Sequence, residues 1–174
     1  MRYGLWWCLA VSSWALAQDV SSGPTKDKAV PALKVFVATG THMGKEVDLV
    51  AERKDKPTIY VVVHAEKWDR PMARFLRKLD ETVQQAGNDA AIVAVWIGGD
   101  FDKTKEYLPK AQMSLQLQAT TLTARKDEPA EWNINSDAHL TAVVVRAGRV
   151  TALFGYRSLN ETDAPAVAKA LSKK

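Results

Sequence analysis

The chain has 174 residues, 47% of them hydrophobic and 25% charged, with 24 Lys and Arg against 20 Asp and Glu. This is the composition of a globular protein with one sizeable core, and it excludes disordered, fibrous and disulfide-framework classes. Charges of both signs are interspersed without a basic stripe, and beyond the first segment no apolar run approaches the roughly 20 residues of a membrane span, so neither a nucleic-acid partner nor a membrane span is expected.

Residues 1–17, MRYGLWWCLAVSSWALA, hold one basic residue, Arg2, then an acid-free apolar run and small residues at Ala15 and Ala17. That pattern reads as a secretory signal peptide cut after Ala17, so the chain is expected to be exported to a periplasmic or extracellular compartment. The one cysteine, Cys8, lies inside it. Trp7 before it and the short basic region argue against a lipid anchor. The mature chain is then free of thiols and relies on its packed core where disulfides would be permitted. Without Arg2 it keeps 23 basic residues against 20 acidic ones, a net charge of +3.

Residues 18–31, QDVSSGPTKDKAVP, are polar with Gly, Ser and Pro and read as a flexible leader to a single domain over 32–174. LKVFVATG and KEVDLV flank Thr41-His42-Met43-Gly44 and predict a short β-hairpin, with His42 exposed in its turn. TIYVVVHA, residues 58–65, is apolar on both alternate sets and predicts a central strand covered on both faces. DRPMARFLRKLDETVQQAG, residues 69–87, predicts a helix with Met72, Phe75, Leu76, Leu79 and Val83 on its buried side. Arg74, Arg77, Lys78, Asp80 and Glu81 fall on the solvent side, and Gly87 ends it. AAIVAVWIGG is a second buried strand, with Trp96 in the core, and DKTKEYLPKAQ a following helix. Met113 to Ala124 is ambiguous but permits strand pieces around Leu115, Leu117 and Leu122. LTAVVVRAGRVTALFG, residues 140–155, predicts an antiparallel hairpin, and a last helix runs from about Glu161 to Leu171. The order implies an α/β fold, a central mixed sheet with helices on both faces.

With that order on the page, two stretches resemble the thioredoxin-like superfamily. HAEKWDRPM is similar to the family's Trp-Ala-Glu-Trp-Cys-Gly-Pro-Cys: Ala65, Glu66, Trp68 and Pro71 match, Lys67 is an added residue, and Asp69 and Met72 stand at the two cysteine positions. LTAVVVRAGRV is similar to the segment that begins with the cis-proline: Thr141, Gly148 and Val150 match and Leu140 replaces the proline. A third stretch, GKEVDLVAERKDKP, residues 44–57, resembles secreted thioredoxin-like proteins that carry their cysteine pair in that loop; Asp48 and Ala51 stand at those positions. The resemblance implies a thioredoxin-like fold over roughly Leu33 to Leu171, with its redox sulfurs missing at either place.

Disulfide exchange needs thiolate attack on sulfur, and carboxylate, thioether and methyl groups cannot form that intermediate. Thiol-disulfide oxidoreductase and thiol peroxidase activities are therefore not expected. Asp69 suits a helix start, where it accepts hydrogen bonds from free amides and meets the dipole favourably; a cap through the amide near Met72 is worth about 0.5–2 kcal/mol. Met72 becomes the first apolar residue of the buried face, and Leu140 is expected in a trans peptide.

His64, Glu66, Asp69, Asp137 and His139 converge if the fold holds, and two imidazoles with a carboxylate could bind zinc or iron. Alternate strand residues face opposite ways, however, and loop carboxylates are commonly solvated, so no cofactor or metal is assigned; His64, Asp69 and His139 stay the candidate ligands. Ser136 lacks a nucleophile-elbow context, and Gly98-Gly99 is a strand-ending turn. Asp100, Asp102 and Glu106 read as a helix cap and a solvated face. Asn160-Glu161-Thr162 reads as a capping cluster, or as a glycosylation sequon in a eukaryotic source. Trp68 is either a contact residue for a partner or a lid on the helix start, and Trp132, in a polar loop, is a second candidate contact.

The expected function is an exported, redox-inactive binding module for a protein, peptide or small ligand. Its contact surface is the degenerate site of Trp68, Asp69, Arg70, Pro71, Met72, His139 and Leu140, where the family grips extended substrates by strand-like hydrogen bonding. The alternatives are a metal-dependent or acid/base enzyme built on His64, Asp69 and His139, and a structural cell-envelope protein.

Overall fold

A computed structural model describes residues 20–87 and 89–172; the expected signal peptide lies outside these residues. Seven strands form one mixed sheet. β3 (Thr58–His64), β4 (Ala91–Ile97) and β5 (Thr120–Arg125) are mutually parallel, and β6 (Leu140–Arg146) and β7 (Arg149–Tyr156) continue antiparallel on the β3 side. On the β5 side lie β1 (Lys34–Val37) and β2 (Glu46–Asp48), the predicted hairpin, giving the order β2-β1-β5-β4-β3-β6-β7. The parallel steps are made by α2 (Arg70–Ala86) and α3 (Phe101–Leu115); α4 (Ala164–Ser172) closes the chain. A five-residue helix, α1 (Leu49–Arg53), follows β2 and is too short to leave a periodic signal in the sequence.

The central strands are buried on both sides, as their unbroken apolar runs require. Their alternate residues feed two separate cores. Ile59, Val61, Ala94 and Ala142 pack with Phe75, Leu79, Leu108 and Val167, so α2, α3 and α4 all press on one face. Tyr60, Val62, Val93 and Val143 pack with Leu33, Leu49 and Trp132 on the other. Helices on both faces, as the element order suggested, are thus found only in reduced form: the second face carries α1 and irregular chain.

Much of that chain is the segment expected to be a flexible leader. From Val20 onward it is a docked strap. Val20 N–H donates to the Gly155 carbonyl at 2.9 Å, Asp27 N–H to Val150 O at 2.8 Å and Val30 N–H to Gly148 O at 3.0 Å, and Ala29 bridges Arg149 antiparallel. Buried Ser22 shares a 2.6 Å hydroxyl bond with Thr141 and accepts from Asn135 N–H at 2.9 Å. Gly155 is required here, because a Cβ on it would lie 2.0 Å from the Val20 carbonyl oxygen. Gly and Ser, read as flexibility in the sequence, serve close approach.

Two further expectations are corrected. Trp132, proposed as an exposed contact, is fully buried; it packs edge-on against Tyr60 at 5.3 Å and donates its indole N–H to Ala32 O at 3.2 Å. Asp80, assigned to the solvent side of its helix, is 1% exposed. Its carboxylate accepts from Gln118 N–H at 3.1 Å, Ala119 N–H at 2.9 Å and Thr120 Oγ1 at 2.6 Å, and from the Gln84 side chain. These bonds pin the turn between α3 and β5 to α2. Four donors around one carboxylate replace its lost hydration.

Candidate functional site

The degenerate site is built where β3 runs out. A single tight helical turn, Ala65–Lys67, leads to Trp68 and then to Asp69, which stays extended at φ −138°, ψ 178° and caps α2. Its Oδ1 accepts from Met72 N–H at 2.9 Å, the bond anticipated from the sequence. Pro71 in the first turn has no N–H to leave unsatisfied. Arg70 and Pro71 are exposed, whereas Met72 and Leu140 have no exposed surface. Met72 and Leu140 belong to the same helix-side core and contribute filling there, so neither can touch a ligand in this conformation. No cis peptide occurs among the described residues, so Leu140 is trans. His139 is half-buried, and its N–H donates to Tyr156 O at 2.7 Å.

Asp48, at the other position where the resemblance places a cysteine, does the same work at the start of α1. Its Oδ1 accepts from Leu33 N–H at 3.0 Å, Val50 N–H at 3.0 Å and Ala51 N–H at 3.3 Å. At the first position of each pair the resemblance names, a carboxylate, Asp48 or Asp69, holds helix-start amides, which is the electrostatic role a thiolate would fill, without its reactivity.

His64 ends β3 beneath the connection 126–139. Its Nδ1 lies 3.8 Å from Glu128 Oε1, and its Nε2 is buried without a hydrogen-bond partner among the described residues. Burial, and after it the charge of Lys67, lowers its pKa, with Glu128 acting in the opposite sense. Asp137 pairs with Arg157 at 3.0 Å, Glu66 is exposed, and Asp69 is engaged by its helix. Among the described residues no three His, Asp or Glu side chains form a metal-sized cluster. The proposed convergence is therefore not met. Asp100 caps α3 through Lys103 N–H at 3.1 Å, which holds its carboxyl below the usual range, and Asp102 pairs with Lys105 at 2.7 Å. Asn160 caps the turn before α4 by accepting from Thr162 N–H at 2.8 Å.

What the sequence missed is the side to which Trp68 is open. Its ring meets Trp96 edge-on, centroids 4.9 Å apart at 66°, and its indole N–H donates to Tyr107 Oη at 2.9 Å. Trp96 is core, as expected, at 2% exposure; its own indole N–H has no partner among the described residues. Between these rings lies a cleft of about 270 Å³, lined also by Ala65, Lys103 and Thr104. The cleft exists because α3 crosses β4 at its carboxyl end, where Gly98 and Gly99 at positive φ turn the chain beside Ala65. Trp68 and Tyr107 are 39 residues apart, so no local spacing announces the pairing.

No family model matches the chain, and no curated relative does. Solved structures do match. A secreted disulfide oxidoreductase from Mycobacterium tuberculosis, homologous to E. coli DsbE, aligns at 12% identity over 80% of this chain and 94% of its own, with a TM-score of 0.62. A DsbF homologue from Corynebacterium diphtheriae aligns at 15% identity over 91% and 96%, with a TM-score of 0.62. Reduced Prx3 from Vibrio vulnificus, in complex with hydrogen peroxide, aligns at 13% identity over 84% and 98%, with a TM-score of 0.65. The fold of this chain is thioredoxin-like.

Proposed function

We propose that this chain is an exported binding module on a thioredoxin-like fold, free of thiol chemistry, whose ligand surface is the aromatic cleft opened by Trp68. The observation that carries the reading is the Asp69 cap: a carboxylate bonded to Met72 N–H occupies the helix start where an attacking sulfur would have to stand. The chain's single cysteine is Cys8, in the expected signal peptide. The secreted and disulfide-exchanging proteins of similar fold support export as the shared setting. No described helix is long and apolar enough to cross a membrane. What the family's frame keeps is a tryptophan beside the helix start; what it adds here is an aromatic wall from α3. Aromatic side chains with one polar end are favoured contact residues.

Two measurements test this together. An insulin-reduction assay should give no turnover above buffer. Native mass spectrometry of protein taken from its own envelope compartment should show a bound species that Trp68→Ala loses while its circular dichroism is unchanged. Turnover above buffer, or identical bound species in wild type and variant, overturns the proposal.

A further inference from the structure

Two polar groups of the cleft can donate outward, Tyr107 Oη and Lys103 Nζ. Tyr107 Oη already accepts from Trp68 Nε1, so its own proton is left to donate. Lys103 brings an ammonium on a side chain that is 85% exposed. Thr104 Oγ1 spends its proton on Asp100 O at 2.9 Å and the Trp96 N–H is buried, so neither donates into the cleft. No carboxylate lines the cleft. Asp100 sits 3.1 Å from Lys103 Nζ in an exposed pair, and such pairs contribute little and exchange readily. The Trp68 ring with these two donors beside it makes a complement for a flat apolar body carrying negative charge.

We propose that this cleft takes a small aromatic carboxylate, its ring against Trp68 and its carboxylate reached by Tyr107 Oη and Lys103 Nζ. The inference rests on the binding-module reading and names the ligand class of that same site. The cleft, about 270 Å³ and open to solvent, has room for one ring. A cation would meet the Lys103 ammonium. A neutral amide would keep the ring contact but lose the charge-assisted bonds.

Isothermal titration at low salt with phenylacetate, phenylacetamide, phenethylamine and N-acetylphenylalanine tests the assignment. Phenylacetate should bind about fivefold or more tightly than phenylacetamide, with no binding of phenethylamine, because only the acid makes charge-assisted bonds. Lys103→Gln should bring the acid and the amide within about twofold of each other. Tyr107→Phe should weaken the acid more than the amide, and Trp68→Phe should weaken both. Equal binding of acid and amide, or preference for the amine, overturns the carboxylate. Tighter binding of N-acetylphenylalanine than phenylacetate overturns the free acid in favour of a chain end. Failure of all four probes overturns this inference alone, since the module reading is judged by what the chain retains from its own compartment.

Discussion

The two faces of the sheet are stabilised in different ways. On one, α2, α3 and α4 bury long side chains such as Phe75, Leu79, Leu108 and Val167, each worth about 1.5–3 kcal/mol in apolar transfer. On the other, Leu49 of a five-residue helix, one tryptophan and a hydrogen-bonded strap cover Tyr60, Val62 and Val143. The first face spreads its stabilisation over many interchangeable contacts. The second has a smaller cluster built around one large aromatic anchor, Trp132, and loss of that anchor should be correspondingly steep.

The steepest break should come from Trp132→Ala, which removes the largest fully buried side chain and leaves a cavity against Tyr60. A loss of about 4 kcal/mol in denaturant unfolding is expected; a loss no larger than that of a single leucine truncation in α2 would erase the contrast between the faces. Next is a point where the helical face also depends on a single group. Asp80→Ala strips the acceptor from Gln118 N–H, Ala119 N–H and Thr120 Oγ1 and should cost about 3 kcal/mol. Asp80→Asn should recover part of it, because an amide oxygen can still accept; equal loss in both variants would point to charge itself.

Gly155→Ala should cost about 2 kcal/mol, with the damage confined to the strap, since a Cβ there collides with the Val20 carbonyl. Hydrogen exchange should quicken at the Val20 and Asp27 amides and stay slow in α2 and α4. Uniform quickening would mean that strap and helices unfold as one unit.

The smallest effect is the dependence on pH. Burial first, and the charge of Lys67 second, lower the His64 pKa from its ordinary value of 6.5. A neutral ring is thus favoured in the folded state, and the stability it contributes is complete above about pH 6.5 and lost as pH falls through the depressed value. His64→Gln should flatten that acid limb in thermal melts taken across this window. A limb unchanged in the variant would assign it to another group.

Element order was legible because each central strand keeps an unbroken apolar run and α2 keeps a strict helical stripe. The Asp69 cap was legible too, since an Asp before Arg-Pro at a helix start has few other uses. Asp80 was misplaced because its charge outweighed its position, four residues after Leu76 and three before Val83, inside the apolar stripe. Trp132 was misplaced because a polar loop hides an anchor whose partner, Tyr60, is remote in sequence. The strap's docking rests on backbone bonds to β7, which leave no side-chain pattern. For the cleft, Trp68 was singled out, but Tyr107 lies one crossing away on α3 and only the packed sheet brings them together.

The strap has a consequence for company as well as for stability. A sheet is open to foreign strands only at its margins, and here one margin is the three-residue β2, which carries Glu46 and Asp48, while the other is roofed by residues 20–30. Short, acidic or covered borders do not template further strands. In the native state, ladder growth and capture of a loose polypeptide through its main chain are disfavoured at these borders. Recognition through side chains suits such borders better than strand addition does.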